Sequence, residues 1–287
     1  MNSPTLDAVS TIVPGAGDLP KLILRAPDGA QAEIYLHGAH VTSWIPAGGQ
    51  ERLFLSQSSQ FCAGAPIRGG IPVVFPQFGM SGPLPLHGLV RLMLWELAGA
   101  ETANGRASAT FRLRDTEDSR RLWANAFLAE LAVSTGGNQL AVTLTVTNAG
   151  VEPFTFTTAL HTYLAVADLA ATCVEGLTGL RYCDAAADWT EHRQIAPYVD
   201  FTGEVNRIYF DAPAETRLVE PVQTTHIQAT GFPDAVVWNP AADKCAAVPD
   251  MKPDDYQRFV CIEAAAVGAP IHLAPGARWQ GAQTLVA

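Results

Sequence analysis

The chain has 287 residues, of which 48% are hydrophobic and only 16% charged, and its 24 Gly and 20 Pro supply a turn signal every few residues. That mixture suits one large globular all-β domain. A formal net charge of −10 excludes a general nucleic-acid binder, because phosphate backbones are held by a surplus of Lys and Arg.

Lys21 is the first basic residue, so the amino terminus lacks the start of a secretory signal, and no clean apolar run reaches the roughly 18 residues of a membrane span. A cytoplasmic protein with no nucleic-acid or membrane partner is the expectation. The five Cys, at 62, 173, 183, 245 and 261, form neither a CxxC pair nor a zinc spacing and read as reduced, mostly buried thiols.

Strand-like segments come in chain order at 21–25, 31–36, 71–75, 107–114 (ASATFRLR), 127–134 (FLAELAVS), 140–147 (LAVTLTVT), 154–158, 235–238 and 259–263. The linker TGGNQ at 135–139 fits a β-hairpin loop. A short helix is expected at 119–125, and no helical pattern runs past two or three turns. Strands at this density without intervening helices exclude a doubly wound nucleotide fold and favour sheets packed face to face. Segments 184–191 and 241–255 read as loops over a sheet. The resulting division is an N-terminal extension, 1–20, and a single domain, 21–287.

The densest chemical signal is APIRGGIPVVFPQFGMSGPLPLHGLVRLMLW, residues 65–95. Arg68 precedes two glycines that can let backbone approach a ligand, and His87 and Arg91 follow. These are either convergent groups gripping a phosphate in an apolar pocket or surface arginines in salt bridges. His161, in LHTY, is by itself more often a satisfied structural histidine. Glu263, in VCIEAA, is a carboxylate in an uncharged setting, and burying one bare costs several kcal/mol unless it is paired or protonated. His37 and His40 lack a nearby acidic or thiol ligand and read as structural, so no metal site is expected. No P-loop, dinucleotide fingerprint or nucleophile elbow occurs.

The blocks GAHVTSWIP, PIRGGIPVVFPQFG, LHGLVR, ALHTYLAV, TGEVNRIY, VVWNP and CIEAA resemble, in order and spacing, the glucose-6-phosphate 1-epimerases, the hexose-phosphate mutarotase branch of the aldose 1-epimerases. The resemblance covers the chain from about residue 20 onward. It implies a galactose-mutarotase-like β-supersandwich of large antiparallel sheets with few short helices, acting as a cofactor-independent isomerase on a sugar phosphate; a monomer is the separate expectation. By matching blocks, His161 is the implied general acid and Glu263 the implied general base. Arg68 and Arg91 are the implied phosphate ligands, and His87, Gln77, Asn206 and Trp238 complete the substrate-binding set. Leu86 stands where some members carry Gln, and Asn206 where the family commonly has Asp. The implied reaction opens the hemiacetal ring with an ionised Glu263 and a protonated His161, then recloses it on the other face. A non-catalytic sugar-binding module on the same sandwich is the rival class, ahead of a lyase or hydrolase, which would ask for paired carboxylates.

Overall fold

Alternation along the strands decides what each residue touches. In Arg106–Arg114, Phe127–Gly136 and Gln139–Asn148 the inward series is Ala107, Ala109, Phe111, Leu113, then Phe127, Ala129, Leu131, Val133, then Leu140, Val142, Leu144, Val146, all buried. The last two strands are joined through Gly137 and Asn138 alone, and Gly137 takes the positive φ of 61° that a two-residue hairpin turn demands.

The computed structural model describes residues 10–287. These three strands belong to a nine-stranded antiparallel sheet running in the order Tyr198–Val199, Cys173–Glu175, Glu215–Val219, Thr224–Thr230, Arg278–Val286, Gln139–Asn148, Phe127–Gly136, Arg106–Arg114, Glu96–Ala103. An eight-stranded sheet contributes to the same core. Its order is Thr190–Arg193, Arg181–Asp184, Val205–Tyr209, Asp234–Asn239, Phe259–Leu273, Phe154–Leu160, Val73–Val74, with Tyr163–Ala165 also pairing to Phe259–Leu273. A four-stranded sheet, Ser10–Pro14, Pro20–Arg25, Gln31–Tyr35, His40–Ile45, packs against the same core through Leu22, Leu24, Ile34 and Trp44. This is the expected large antiparallel sandwich.

The central strand Phe259–Leu273 has two distinct faces. Val260, Ile262, Ala264 and Ala266 enter the main core. Phe259 and Cys261 join an apolar cluster with Phe54, Tyr163, Cys245 and Met251, whereas Ala265 joins another with Val74, Ala159, Ile208 and Val236. By parity Glu263 lies on this second face, between the two clusters.

Within the expected extension Ser10–Pro14 is a strand paired with Pro20–Arg25, and the extension's first nine residues lie outside the described residues. Several strand, loop and helix expectations are corrected. Segment 71–75 shortens to Val73–Val74. The expected loop at 184–191 is a hairpin between Arg181–Asp184 and Thr190–Arg193, and 241–255 contains the helix Ala241–Ala247. The short helix spans Glu117–Leu122, because Thr116 caps it by accepting from the Ser119 backbone N–H while the Ser119 side chain accepts from the Thr116 backbone N–H. Of the five free cysteines only Cys245 and Cys261 are buried. Among the described residues no helix is long and apolar enough to cross a membrane.

Candidate active site

Strand pairing brings the two best chemical candidates together. Leu160 pairs with Ala264 and Tyr163 with Cys261, and that register sets His161 across from Glu263. His161 Nε2 lies 3.5 Å from Glu263 Oε1, and the two residues are 7% and 2% exposed. The outer atoms, His161 Nδ1 and Glu263 Oε2, are buried without a hydrogen-bond partner among the described residues. Buried polar atoms are nearly always paired, so this couple is built to meet something else.

Burial pushes the Glu263 carboxyl well above its ordinary 4.5. Burial also pushes the His161 imidazole well below its ordinary 6.5, and His87, Arg68 and Arg91 add repulsion. Both shifts oppose charge, so burial disfavours an ion pair of ionised Glu263 and protonated His161 in the empty site.

Aromatic rings fix the imidazole. Tyr163 stacks on His161 at 4.9 Å and 10°, while Trp238 and His87 meet it edge-on at 5.9 and 5.3 Å. Asn206 is the cross-strand partner of Trp238 and shares its face. His87 sits at a φ of 64°, and its Nδ1 accepts from the Gly79 backbone N–H at 3.2 Å, leaving Nε2–H as a donor. Burial, with Arg91 and Arg68 close by, lowers the His87 pKa to about 3 and keeps that ring neutral.

Two guanidiniums lie near enough to the imidazole to repel a charge on it. Arg68 donates from Nη1 to the Tyr163 hydroxyl at 3.1 Å and from Nε to Asp250 Oδ1 at 3.1 Å. Burial opposes its charge, but Tyr163 and Asp250 together hold its pKa above the usual arginine value. Arg91, 7% exposed, donates to the Leu86 carbonyl at 2.6 Å, and its Nε has no partner among the described residues. Burial, reinforced by Arg68, lowers its pKa to about 10, so it stays charged at neutral pH. Two partly desolvated cations, one with a donor unused among the described residues, have the chemistry that attracts an anion. Leu86 meets Arg91 through its backbone carbonyl, while its side chain is exposed.

Two features of this segment bear on its expected roles. Gln77 is engaged within its own loop: its amide donates to the carbonyls of Gly79 and Leu84, both at 3.1 Å, and accepts from the Leu84 N–H at 3.0 Å. Gly69 and Gly70 admit neighbouring backbone instead of a ligand, since a Cβ on either would lie 2.3 Å from the Phe54 carbonyl oxygen or 2.1 Å from that of Val41. His37 and His40 clamp the same loop through the carbonyls of Ala65 and Gly69 at 2.8 and 2.7 Å. His40, whose pKa burial lowers to about 3, does so as a neutral donor. Among the described residues no three His, Cys, Asp or Glu converge as metal ligands.

Sequence reasoning passed over Tyr163 and Asp250. Tyr163 lay inside a quoted block without a role, and Asp250 sat in a segment read as a surface loop, where nothing marked it as 7% exposed.

Residues 20–285 match the family model described as aldose 1-epimerase. A protein of Cenchrus ciliaris, provisionally named glucose-6-phosphate 1-epimerase, is 36% identical over 92% of this chain and 83% of its own length. One of Escherichia coli (strain K12) with the same provisional name is 32% identical over 91% and 89%. Among solved structures, a provisionally named mutarotase from Salmonella typhimurium superposes with a TM-score of 0.91 at 28% identity, covering 99% of this chain and 95% of that one. Galactose 1-epimerase from Lactobacillus acidophilus NCFM shares the fold, with a TM-score of 0.73 at 12% identity over 96% and 98%. The chain belongs to the aldose 1-epimerase family.

Proposed function

We propose that this site interconverts the α and β anomers of a hexose 6-phosphate, glucose 6-phosphate first among them. The observation that supports the reading is the pairing of His161 with Glu263 across one sheet, with both outer polar atoms unpartnered among the described residues and the Arg68 and Arg91 guanidiniums close enough to repel a charge on His161. The relatives named for glucose-6-phosphate epimerisation support the phosphorylated substrate.

Anomer exchange requires one proton to leave the C1 hydroxyl and another to reach the ring oxygen as the C1–O5 bond breaks. Between them His161 and Glu263 hold one transferable proton and one vacant basic site, so ring opening needs no net proton from solvent. In the empty site desolvation keeps that proton on Glu263. A phosphate dianion against Arg68 and Arg91 offsets the repulsion these exert on an imidazolium, which favours transfer to His161. Glu263 then takes the C1 proton while His161 protonates the ring oxygen. Rotation about C1–C2 presents the other face of the aldehyde, and closure reverses both transfers. His87 Nε2–H and the Asn206 amide are donors for sugar hydroxyls, and Trp238 supplies an apolar wall.

The test is anomer exchange of glucose 6-phosphate by polarimetry or saturation-transfer NMR. His161→Ala should lower the rate by about 10²–10⁴-fold with the fold intact. A wild-type rate no faster than that of the variant, with the sugar phosphate still bound, would identify a binding module instead.

A further inference from the structure

The strand that carries His161 loses one rung of its ladder at the catalytic position. Thr162 pairs in register with Ile262, and the Ile262 N–H donates to the Thr162 carbonyl at 3.1 Å. The reciprocal bond is not made. The Thr162 N–H turns back to the Leu160 carbonyl at 3.0 Å, and the His161 N–H goes to Pro72 on the other side at 3.0 Å. The strand assignment breaks there, between Phe154–Leu160 and Tyr163–Ala165. A buried carbonyl at Ile262 is left without its ladder donor, and an unsatisfied buried acceptor is costly if nothing replaces it.

The replacement comes from the opposite sheet. Gln283 lies on Arg278–Val286, at the inward parity it shares with Gly281 and Leu285, and is 2% exposed. Its Nε2 donates to the Ile262 carbonyl at 3.0 Å, and its Oε1 accepts from the Thr162 hydroxyl at 2.5 Å. One amide thus bridges the residue after His161 and the residue before Glu263 from beneath the sheet. Thr162 is fully buried, away from bulk solvent.

We propose that Gln283, acting through Thr162, is a positioning residue that sets the separation and aim of His161 and Glu263. A bare ladder defect would let the two strands close into a regular rung, rotating His161 relative to Glu263. The amide fills the gap and holds the kink open. Displacements of an ångström at reacting groups are costly, about 10²-fold in rate, so even partial relaxation is visible. The inference rests on the acid–base reading of the pair.

The experiment measures kcat and KM for glucose 6-phosphate in Gln283→Leu, Thr162→Val, the double variant and Thr162→Ser. The expected result is a fall in kcat of roughly tenfold or more in Gln283→Leu and Thr162→Val, with KM within about twofold of wild type. The double variant should be no slower than the worse single variant, and Thr162→Ser, which keeps the hydroxyl, should restore most of the rate. A folded Gln283→Leu or Thr162→Val with wild-type kcat, or a loss confined to KM, would overturn the proposal. If Gln283→Leu does not fold, Thr162→Val against Thr162→Ser decides. Should the wild-type protein show no anomer exchange at all, the acid–base reading fails. The positioning claim is then read from the ring ¹H–¹⁵N resonances of His161, which must shift in Thr162→Val and return in Thr162→Ser; unmoved resonances sink it.

Discussion

Replacing Glu263 by Gln should remove activity and add stability, and the two effects have separate origins. The loss of activity follows from removing one of two proton-transfer groups, about 10²–10⁴-fold in kcat. The gain in stability follows from burial. Glu263 is 2% exposed, and desolvation holds its carboxyl well above the ordinary 4.5. In the unfolded chain the carboxyl ionises as pH rises through 4.5, while in the folded protein it keeps its proton until the raised value is passed. Across that window the folded state binds one proton more than the unfolded state. Unfolding free energy therefore falls as pH rises, by about 1.4 kcal/mol per pH unit from this group. Gln does not titrate and escapes the loss. The stability of Glu263→Gln relative to wild type should accordingly grow with pH above pH 5, by about 1.4 kcal/mol per unit until the raised value is passed, or several degrees in Tm for a chain of this size. The other titrating groups are common to both proteins and largely cancel in the difference. Urea or thermal unfolding of the two proteins at pH 5.5, 6.5 and 7.5 measures the trend. A difference that stays constant over that range would show that Glu263 is already ionised in the resting fold and would refute the desolvation argument.

Two further substitutions test the site's surroundings. Arg68→Ala should raise KM for glucose 6-phosphate at least about tenfold while changing free glucose little, since a charge-assisted contact to phosphate contributes about 1.5–3 kcal/mol; equal effects on both sugars would remove Arg68 from the anion site. Gly70→Ala should destabilise by about 2 kcal/mol or more, because a φ of 61° and a Cβ 2.1 Å from the Val41 carbonyl oxygen both resist it, and a Tm unchanged from wild type would show that the loop relaxes freely.

What the sequence made legible depends on how one-sided each segment's surroundings are. ASATFRLR, FLAELAVS and LAVTLTVT bury one face and expose the other, so their alternation is plain, and all three are strands. The hairpin of Arg181–Asp184 and Thr190–Arg193 escaped because all four residues of its outer strand are exposed, which leaves no apolar period to read. Phe259–Leu273 runs 15 residues, yet only its start was expected to be a strand: beyond Glu263 it is small and apolar on both faces, Ala264, Ala265 and Ala266, before its outer end becomes exposed. The helix Ala241–Ala247 was hidden by its Pro and acidic neighbours.

The site followed a similar logic, with a harder limit. Glu263, Arg68 and Arg91 stood out because each is a polar group in an apolar stretch, and burial is what makes such a group expensive to keep, whereas His161 by itself read as structural and was marked by the family resemblance. Their meeting was not legible: the register between Phe154–Leu160 and Phe259–Leu273 is fixed by the whole sheet, and a slip of one residue would turn His161 away from Glu263. Gln77 entered through the resemblance alone, and its buried amide is engaged within its own loop. Gln283 was overlooked although it satisfies the criterion that singled out Glu263, a polar side chain at an inward parity between Gly281 and Leu285. The difference lies in neutrality. An amide among Gly, Thr and Gln residues attracts no notice in a sequence, whereas in the folded core it must find a donor and an acceptor, and the two it finds flank the acid–base pair.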